Sequence, residues 1–306
     1  MSAPPETPPR TSDIGHERRS RLIAIALMCG AFACFSALDA TAKWLSPRIG
    51  VIETTWVRYV SSFLFVSVML NPWSHPTLAE TRRPWTQAFR SFALLASTLL
   101  NFLALQYLQL TETMTIMFTQ PLVVALVSGP LLGEWPGPRR LAAIGVGFLG
   151  VVLVTRPGAG GIHWAAIYSF IGVGAYAAYS IMTRSLAGDD PSETTMFYSA
   201  AAGILLLTPA IPFIWHTTPD LKTLALMALV GFWGALGHWL LILAHRHASA
   251  AVLAPFLYTQ IVWMILLGYL VFSDVPDIWT LAGGAVVIAS GIYLFHRERV
   301  RGVPPR

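Results

Sequence analysis

The stretch that decides the fold is Glu112–Val154, which reads ETMTIMFTQPLVVALVSGPLLGEWPGPRRLAAIGVGFLGVVLV. It predicts two apolar helices joined by a short polar turn. The first helix contains the tripeptide Thr119–Pro121, and the turn contains Glu134 and Pro136. After Glu112, the charged residues of this stretch lie only between Glu134 and Arg140, at the turn, so the stretch is typical of a helical hairpin.

The same pattern returns 140 positions further along the chain. The matching residues, with the first copy before the second, are Thr119 and Thr259, Gln120 and Gln260, Glu134 and Asp274, Pro136 and Pro276, and Leu141 and Leu281. An internal repeat has to be recognised before any local structure is assigned, because it decides the architecture.

Two further segments repeat at nearly the same offset. The tripeptide at 53–55 (Glu-Thr-Thr) recurs at 193–195, and GAFACFS at 30–36 is answered by GAYAAYS at 174–180, 144 positions later. A shared order at a nearly constant offset indicates two related halves of about five helices each.

The composition places these helices in a membrane. Of the 306 residues, 55% are hydrophobic and 11% are charged, whereas a soluble domain carries about 25% charged residues. Apolar runs of about 17 to 25 residues therefore predict membrane spans. The net charge of +5 does not indicate nucleic acid, because the basic residues flank the apolar runs as topology signals do.

The chain is thus predicted to be an all-α integral membrane protein with ten transmembrane helices. The spans cover residues 22–45, 51–70, 91–108, 112–132, 141–155, 162–184, 194–215, 221–245, 248–272 and 278–295. They form two five-helix repeats, residues 22–155 and 162–296. We expect residues 1–21 to be a disordered cytoplasmic tail and residues 297–306 to be a short cytoplasmic tail.

The basic residues predict the orientation of the spans. With the N-terminus in the cytoplasm, fifteen Lys and Arg residues fall in inside segments and four fall outside or at outer helix ends. This bias predicts a multi-pass protein of the inner (plasma) membrane with both termini cytoplasmic. Each half holds an odd number of spans, so the two repeats are inverted, and inverted repeats place a substrate site near the midplane that opens alternately to either side.

The turn at 133–136 (Gly-Glu-x-Pro) and the glycine-rich helix after it, present twice in ten spans, resemble the EamA-type drug/metabolite transporters. The resemblance covers residues 22–296, although Ser273-Asp274 replaces Gly-Glu in the second turn. It implies a secondary active transporter of a small molecule rather than an enzyme. The sequence agrees, since it has neither a phosphate-binding GxxxxGK[S/T] loop nor an HExxH metal motif.

Charged residues inside the spans are the first candidates for the site, because each costs at least about 2.5 kcal/mol unless it is paired or wetted. Asp39 and Arg58 are expected at similar depth on the first two helices, and Lys43 lies one turn from Asp39. In one interpretation they line a cavity, where Arg58 holds an anionic or carbonyl-rich substrate and Asp39 and Lys43 couple transport to a proton. In the other, they form a buried structural ion pair.

Gln120 and Gln260 are the second candidates, since they form a matched pair near the middle of two spans. Pro121 follows the first of them, and it should kink the helix because it removes a backbone donor. The two amides either bind the substrate or hydrogen-bond between helices.

Deep aromatic residues form the third set. Tyr179, Trp239, Tyr258 and Trp263 lie further from the predicted span ends than interfacial anchors do, and such rings can stack on a flat heterocycle or a cation. His238, beside Trp239, either titrates or packs in the interior.

We predict riboflavin uptake as the function. The aromatic set suits a planar molecule, and FSALDATAKWL (35–45) and APFLYTQIVW (254–263) resemble the branch that contains vitamin and S-adenosylmethionine carriers. Import of S-adenosylmethionine or another metabolite, and export of an amino acid or other metabolite, remain alternatives. We expect the bilayer as surroundings, a monomer or homodimer, and no cofactor, metal or nucleic acid.

Overall fold

A computed structural model describes residues 11–70, 80–132, 137–155, 163–186, 189–248 and 250–300. Over these ranges the chain is almost entirely helical, and none of the residues described forms a strand. The helices are α1 (Thr11–Ile49), α2 (Val51–Leu70), α3 (Pro84–Leu105), α4 (Leu110–Met117), α5 (Gln120–Leu132), α6 (Pro138–Thr155), α7 (Ala166–Leu186), α8 (Ser192–Leu207), α9 (Ile211–Ile214), α10 (Leu221–His247), α11 (Ala250–Leu253), α12 (Gln260–Phe272) and α13 (Ile278–Val300), with a 3-10 helix at Ala254–Thr259.

Each of the ten predicted spans is occupied by one helix or by a row of consecutive helices. α4 and α5 share the fourth span, α8 and α9 the seventh, and α11, the 3-10 helix and α12 the ninth. In the described part of the chain, five helices are long and apolar enough to cross a membrane, and three more apolar helices are shorter. The all-α membrane architecture is therefore confirmed.

The helices extend beyond the predicted spans at both ends of the chain. α1 begins at Thr11, just after the last proline of the Pro-rich start, so half of the predicted 1–21 tail is helical rather than disordered. A helix that already exists in the apolar run can grow into polar residues without a new nucleation step, and proline stops it. α13 likewise runs to Val300, into the predicted tail, and residues 1–10 and 301–306 lie outside the described ranges.

Two contacts between α6 and α13 show how the repeats are related. Ser290 Oγ donates to the carbonyl of Ala143, and the backbones of Gly150 and Gly283 lie against each other. The offset of 140 positions converts Ala143 to Gly283 and Gly150 to Ser290, so each contact is the image of the other. Between the two contacts the chain advances seven residues on α6, from Ala143 to Gly150, and goes back seven residues on α13, from Ser290 to Gly283. The two helices are therefore antiparallel. The two-fold axis is therefore perpendicular to them, which makes the repeats inverted.

The rest of the packing obeys the same symmetry. α1 packs along α10, and their counterparts α7 and α3 pack along each other in the same way. α2 contacts α10, as α8 contacts α3, and α2 meets α8 across the axis. Each repeat thus fills its interior with helices of the other, so the two halves form one membrane bundle.

Small residues allow the closest helix contacts of α10. Gly231 lies against Ser61 and Ser62 of α2, and Ser62 Oγ donates to the Gly231 carbonyl at 2.9 Å. Gly237 faces the ring of Phe35 on α1. Small residues let the α10 backbone approach both α1 and α2. Close packing of this kind holds membrane helices together, because lipid tails are as apolar as the side chains and the hydrophobic effect does not drive helix association.

The α6–α13 contact gives a stability prediction with an internal control. A Cβ at Gly150 would lie 2.8 Å from the Gly283 carbonyl oxygen, whereas a Cβ at Gly145 on the same helix meets nothing within 4 Å. Gly150→Leu should therefore lower the stability of the purified protein by about 1–3 kcal/mol through overpacking. Gly145→Leu should leave it nearly unchanged. Thermal unfolding in detergent measures both, and equal midpoints for the two variants would refute the contact.

Candidate functional site

A cavity of about 320 Å³ lies in the middle of the bundle, where the two repeats meet. Its walls come from α1, α2, α3, α4 and α5 of the first repeat and from α7, α10, the 3-10 helix and α12 of the second. The volume falls at the lower end of the range for small-molecule sites, roughly 300–1,000 Å³. Of the predicted site residues, Asp39, Arg58, Gln120, His238 and Gln260 all line this cavity.

The cavity lies on the two-fold axis, because ten of its twenty lining residues form pairs related by the repeat. The pairs are Phe32 and Tyr176, Thr98 and His238, Asn101 and Leu241, Met117 and Leu257, and Gln120 and Gln260. The first pair is separated by 144 positions and the other four by 140. A site on the axis contacts both repeats, so a movement of one repeat against the other changes its access.

Broken helices place the two glutamines in the cavity. α4 ends at Met117 and α5 begins at Gln120, while the 3-10 helix ends at Thr259 and α12 begins at Gln260. The first break agrees with the kink predicted at Pro121. Both glutamines are thus the first residue of a new helix segment, at the same place in each repeat.

Threonine hydroxyl groups satisfy part of the backbone at both breaks. Thr119 Oγ1 donates to the Ile116 carbonyl at 2.7 Å, and Thr259 Oγ1 donates to the Phe256 carbonyl at 2.7 Å. The two bonds are again related by 140 positions. Non-helical backbone is tolerated at membrane depth only where protein or a cavity surrounds it, so the Thr-Gln repeat is a structural device for opening a site.

The charged residues of the cavity are not paired with each other. Asn101 Nδ2 donates to Asp39 Oδ1 at 3.0 Å, and within the described residues no ion pair joins Asp39 to Arg58. The guanidinium of Arg58 lies 4.7 Å from the centroid of the Tyr59 ring. Its Nε atom is buried and has no hydrogen-bond partner in the part of the chain that is described. The predicted alternative of a structural ion pair is therefore not formed.

His238 completes the polar lining of the cavity from the second repeat. It lies on α10, and its ring meets Phe35 edge-on with 5.0 Å between the centroids. Phe35 lines the same wall.

Four predicted aromatic residues do not line the cavity. Tyr179 lies beside the buried guanidinium of Arg90, 5.2 Å from it, and Tyr258 packs edge-on against Phe118 at 5.0 Å. Trp239 follows His238, and adjacent residues on a helix point about 100° apart, so only one of them can face the cavity. Trp263 lies one turn beyond Gln260 on α12.

Lys43 is also absent from the cavity wall, in contrast to the prediction. Its Nζ atom forms an ion pair with Asp274 Oδ2 at 2.8 Å and donates to the Leu108 carbonyl at 3.0 Å. It also lies over the ring of Phe272, 4.8 Å from the centroid. Lys43 therefore links α1 to the segment between α12 and α13, across the boundary between the repeats.

A second polar network crosses that boundary from the first repeat to the α7–α8 segment. Arg83 Nη1 lies 3.3 Å from Asp189 Oδ2, and Gln87 Nε2 donates to Asp190 Oδ2 at 2.8 Å. The fully buried Arg90 donates from Nη2 to Ser199 Oγ at 2.7 Å. The network and the Lys43–Asp274 pair both tie the first repeat to the second.

Sequence analysis missed two kinds of lining residue. Phe32 and Tyr176 were not selected although they are equivalent positions of the repeated GAFACFS and GAYAAYS motifs, which was the available signal. Met114 and Met117 line the wall from α4 and carry no pattern that distinguishes them from core residues. Metal binding has no support in the described residues, where no group of three or more His, Cys, Asp or Glu side chains could hold an ion.

The comparison with protein families matches residues 22–156 and again residues 163–296 to the EamA-like transporter family. The chain belongs to the EamA-like transporter family. The double match repeats the two halves found in the sequence and in the helix packing. The protein is therefore a transporter and not an enzyme.

Curated relatives of this EamA-like transporter are named after two different substrates, riboflavin and S-adenosylmethionine. A riboflavin transporter of Rhizobium johnstonii is 27% identical over 293 residues, which cover 94% of this chain and 95% of the relative. An S-adenosylmethionine uptake transporter of Rickettsia bellii is 27% identical over 268 residues, covering 86% and 90%. A riboflavin transporter of Vibrio cholerae is 26% identical over 280 residues, covering 89% and 92%.

A solved crystal structure shares the fold of this transporter. It aligns with a TM-score of 0.61 over 91% of this chain and 98% of the other, at 17% identity. The relatives support a multi-pass membrane transporter of a small molecule, and the solved structure supports the fold alone.

The Lys43–Asp274 pair should be structural rather than part of proton coupling. Lys43→Gln and Asp274→Asn should each lower stability, and the double variant should lose less than the sum because both singles break one ion pair, worth about 0.2–1 kcal/mol. Thermal unfolding of the four proteins gives the coupling energy. Arg48→Gln, an exposed cation at the end of α1, should combine additively with Asp274→Asn. A zero coupling for Lys43 would contradict the ion pair.

Asp190 gives a prediction about acid stability. Although burial raises the pKa of this carboxyl group, hydrogen bonds from the side chains of Thr81 and Gln87 and from the Arg82 amide lower it more, so it lies below its ordinary value of 3.8. A carboxyl group whose pKa is lower in the folded than in the unfolded protein stabilises the fold at pH values above its unfolded-state pKa. This stabilisation is lost as the pH falls through its folded-state pKa.

The unfolding midpoint of Asp190→Asn should therefore lie below that of the wild type at pH 7. The difference should shrink as the pH drops below about 4. Glu80→Gln, at an exposed carboxylate close to the same segment, is the matched control and should leave the unfolding midpoint nearly unchanged. A difference that is constant down to acid pH would contradict the role of the Asp190 carboxylate.

Proposed function

We propose that this transporter imports a small metabolite with a flat heteroaromatic ring across the inner membrane by alternating access, with both termini in the cytoplasm. The observation that carries the proposal is the cavity on the two-fold axis, whose wall includes the rings of Phe32, Phe35 and Tyr176. Aromatic side chains contact a flat ligand over a large area and gain from stacked or edge-on geometry. The uptake direction is that of the Rickettsia relative.

The two polar networks supply the parts that alternating access needs. Lys43 and Asp274 join the repeats at one place, and Arg83 with Asp189 joins them at another. Both pairs are partly exposed, and such ion pairs are weak, so they can break and re-form in a transport cycle. An inverted-repeat transporter opens one side by separating the repeats there while they stay closed at the other.

Riboflavin is the candidate that the sequence predicts, and S-adenosylmethionine is the second. Riboflavin carries a flat three-ring system, and S-adenosylmethionine carries adenine, so both present a heteroaromatic face to the aromatic wall. Relatives with both names align over most of the chain at equal identity. Overall sequence similarity therefore ranks neither substrate above the other.

Uptake by the purified protein in liposomes tests the class of function. We expect saturable uptake of radiolabelled riboflavin or S-adenosylmethionine that an excess of the same unlabelled compound suppresses. Tyr176→Leu should weaken the apparent affinity by about three- to tenfold through loss of ring contact. Tyr269→Leu, on an exposed face of α12, is the matched control and should have no effect. Uptake of neither compound, or uptake that rises linearly with concentration, would refute the proposal.

Growth of a riboflavin auxotroph that lacks its own importer tests the first candidate in cells. Expression of the protein should restore growth at limiting riboflavin if riboflavin is the substrate. Failure to grow, with the protein present in the membrane, would exclude riboflavin and leave the transporter class intact.

A further inference from the structure

The two opposite charges in the cavity form no ion pair with each other in the described part of the chain, which is unusual for residues at membrane depth. Arg58 enters from α2 with a buried Nε that has no partner in the described residues, and no ion pair connects it to Asp39 on α1. An ionised side chain inside a membrane protein is costly unless it is paired or wetted. Two opposite charges that face one cavity without pairing are therefore arranged to bind groups supplied from outside.

Asn101 fixes one half of this arrangement. Its Nδ2 donates to Asp39 Oδ1 at 3.0 Å, and the amide itself lines the cavity from α3. Among the described residues no group donates to Asp39 Oδ2. The hydrogen bond to Oδ1 orients the Asp39 carboxylate and leaves Oδ2 as a hydrogen-bond acceptor. An ammonium group, which carries only donors, can bind such an acceptor.

Arg58 forms the other half. A guanidinium group presents planar donors that match the two oxygens of a carboxylate. The ring of Tyr59 lies 4.7 Å from this guanidinium, so the side chain packs against a rigid neighbour. The cavity thus offers an anionic position and a cationic position at once.

The charges belong to one repeat only, whereas ten of the twenty lining residues form repeat-related pairs. The position equivalent to Arg58 is Tyr198, 140 residues on, and the position equivalent to Asp39 is Thr183, 144 residues on. Neither is charged. The shared architecture of the two repeats therefore does not require Asp39 and Arg58, which leaves binding as the reason for their place in the cavity.

We infer that the transported molecule carries a zwitterionic head, an α-amino carboxylate, whose carboxylate binds Arg58 and whose ammonium group binds Asp39, while its ring lies against the aromatic wall. This inference rests on the proposed function and names the chemistry of its substrate. S-adenosylmethionine has such a head attached to adenine, and its sulfonium can lie near the rings of Phe32 or Phe35 as a cation. Riboflavin is neutral and would leave Asp39 and Arg58 without an ionic partner.

A pair of ligands isolates the head group. S-adenosylhomocysteine and 5′-methylthioadenosine share adenine, ribose and a thioether, and only the first has the amino-acid head. Binding of each to the purified full-length protein is measured by isothermal titration calorimetry. We expect S-adenosylhomocysteine to bind on the order of ten- to a hundredfold tighter, because two charge-assisted hydrogen-bonded contacts are added. Equal affinity for the two ligands would overturn the inference.

Variants then assign the effect to the two residues. Arg58→Gln and Asp39→Asn should each bring the affinity ratio of the two ligands towards one, and Arg58→Lys should retain part of it because the charge remains. A folded Arg58→Gln protein with the wild-type ratio would overturn the inference. Should Arg58→Gln fail to fold, Asp39→Asn decides in the same way. Arg48→Gln and Asp220→Asn, outside the cavity, are matched controls that should keep the ratio.

The liposome assay separates failure of this inference from failure of the proposed function. Saturable riboflavin uptake that S-adenosylhomocysteine does not inhibit would refute the zwitterionic head and leave the transport of ring-bearing metabolites standing. Absence of uptake for every ring-bearing compound would refute both. Inhibition by S-adenosylhomocysteine but not by 5′-methylthioadenosine at the same concentration would support both.

Discussion

A peptide group inside a membrane must find its hydrogen bond within the protein, and the central cavity depends on how this chain meets that requirement. Two of its spans break in the middle, at Thr119-Gln120 and at Thr259-Gln260. At each break a threonine hydroxyl donates to the carbonyl three residues back, and the glutamine that follows the threonine lines the cavity. Without such bonds the unwound segments would be too costly, the helices would run on, and the space between the repeats would close.

The cavity combines a symmetric frame with an asymmetric charge distribution. The frame follows from the repeat, since the backbone breaks and five pairs of lining residues exchange under it. Asp39 and Arg58 have no charged equivalents in the second half. A symmetric frame allows the same movement towards either side of the membrane, whereas recognition of a ligand with two different ends requires different groups in the cavity. The repeat-related walls allow the movement, and the two charges without charged equivalents provide the different groups.

The sequence predicted the frame well because repetition is a global signal. The offset of 140 positions predicted two related five-helix halves and the matched glutamines, Pro121 predicted the first helix break, and the count of spans predicted the inversion. Individual side chains were harder. Tyr179 and Tyr176 lie one turn apart in one motif, yet the buried guanidinium of Arg90 lies beside the first, and only the second lines the cavity. Lys43 pairs with a residue 231 positions away, a contact that no local pattern encodes.

The link between the first two helices bears on how the charges behave in motion. α1 and α2 are joined by Gly50 alone, whose φ of 96° is open to glycine and strained for other residues, so the chain reverses there with no slack. Asp39 and Arg58 sit on the two arms of that hairpin. When the bundle moves around a bound molecule, this short connection limits how far the two helices can separate. The spacing between the negative and the positive side chain is thereby restricted, which limits the length of a group that can contact both.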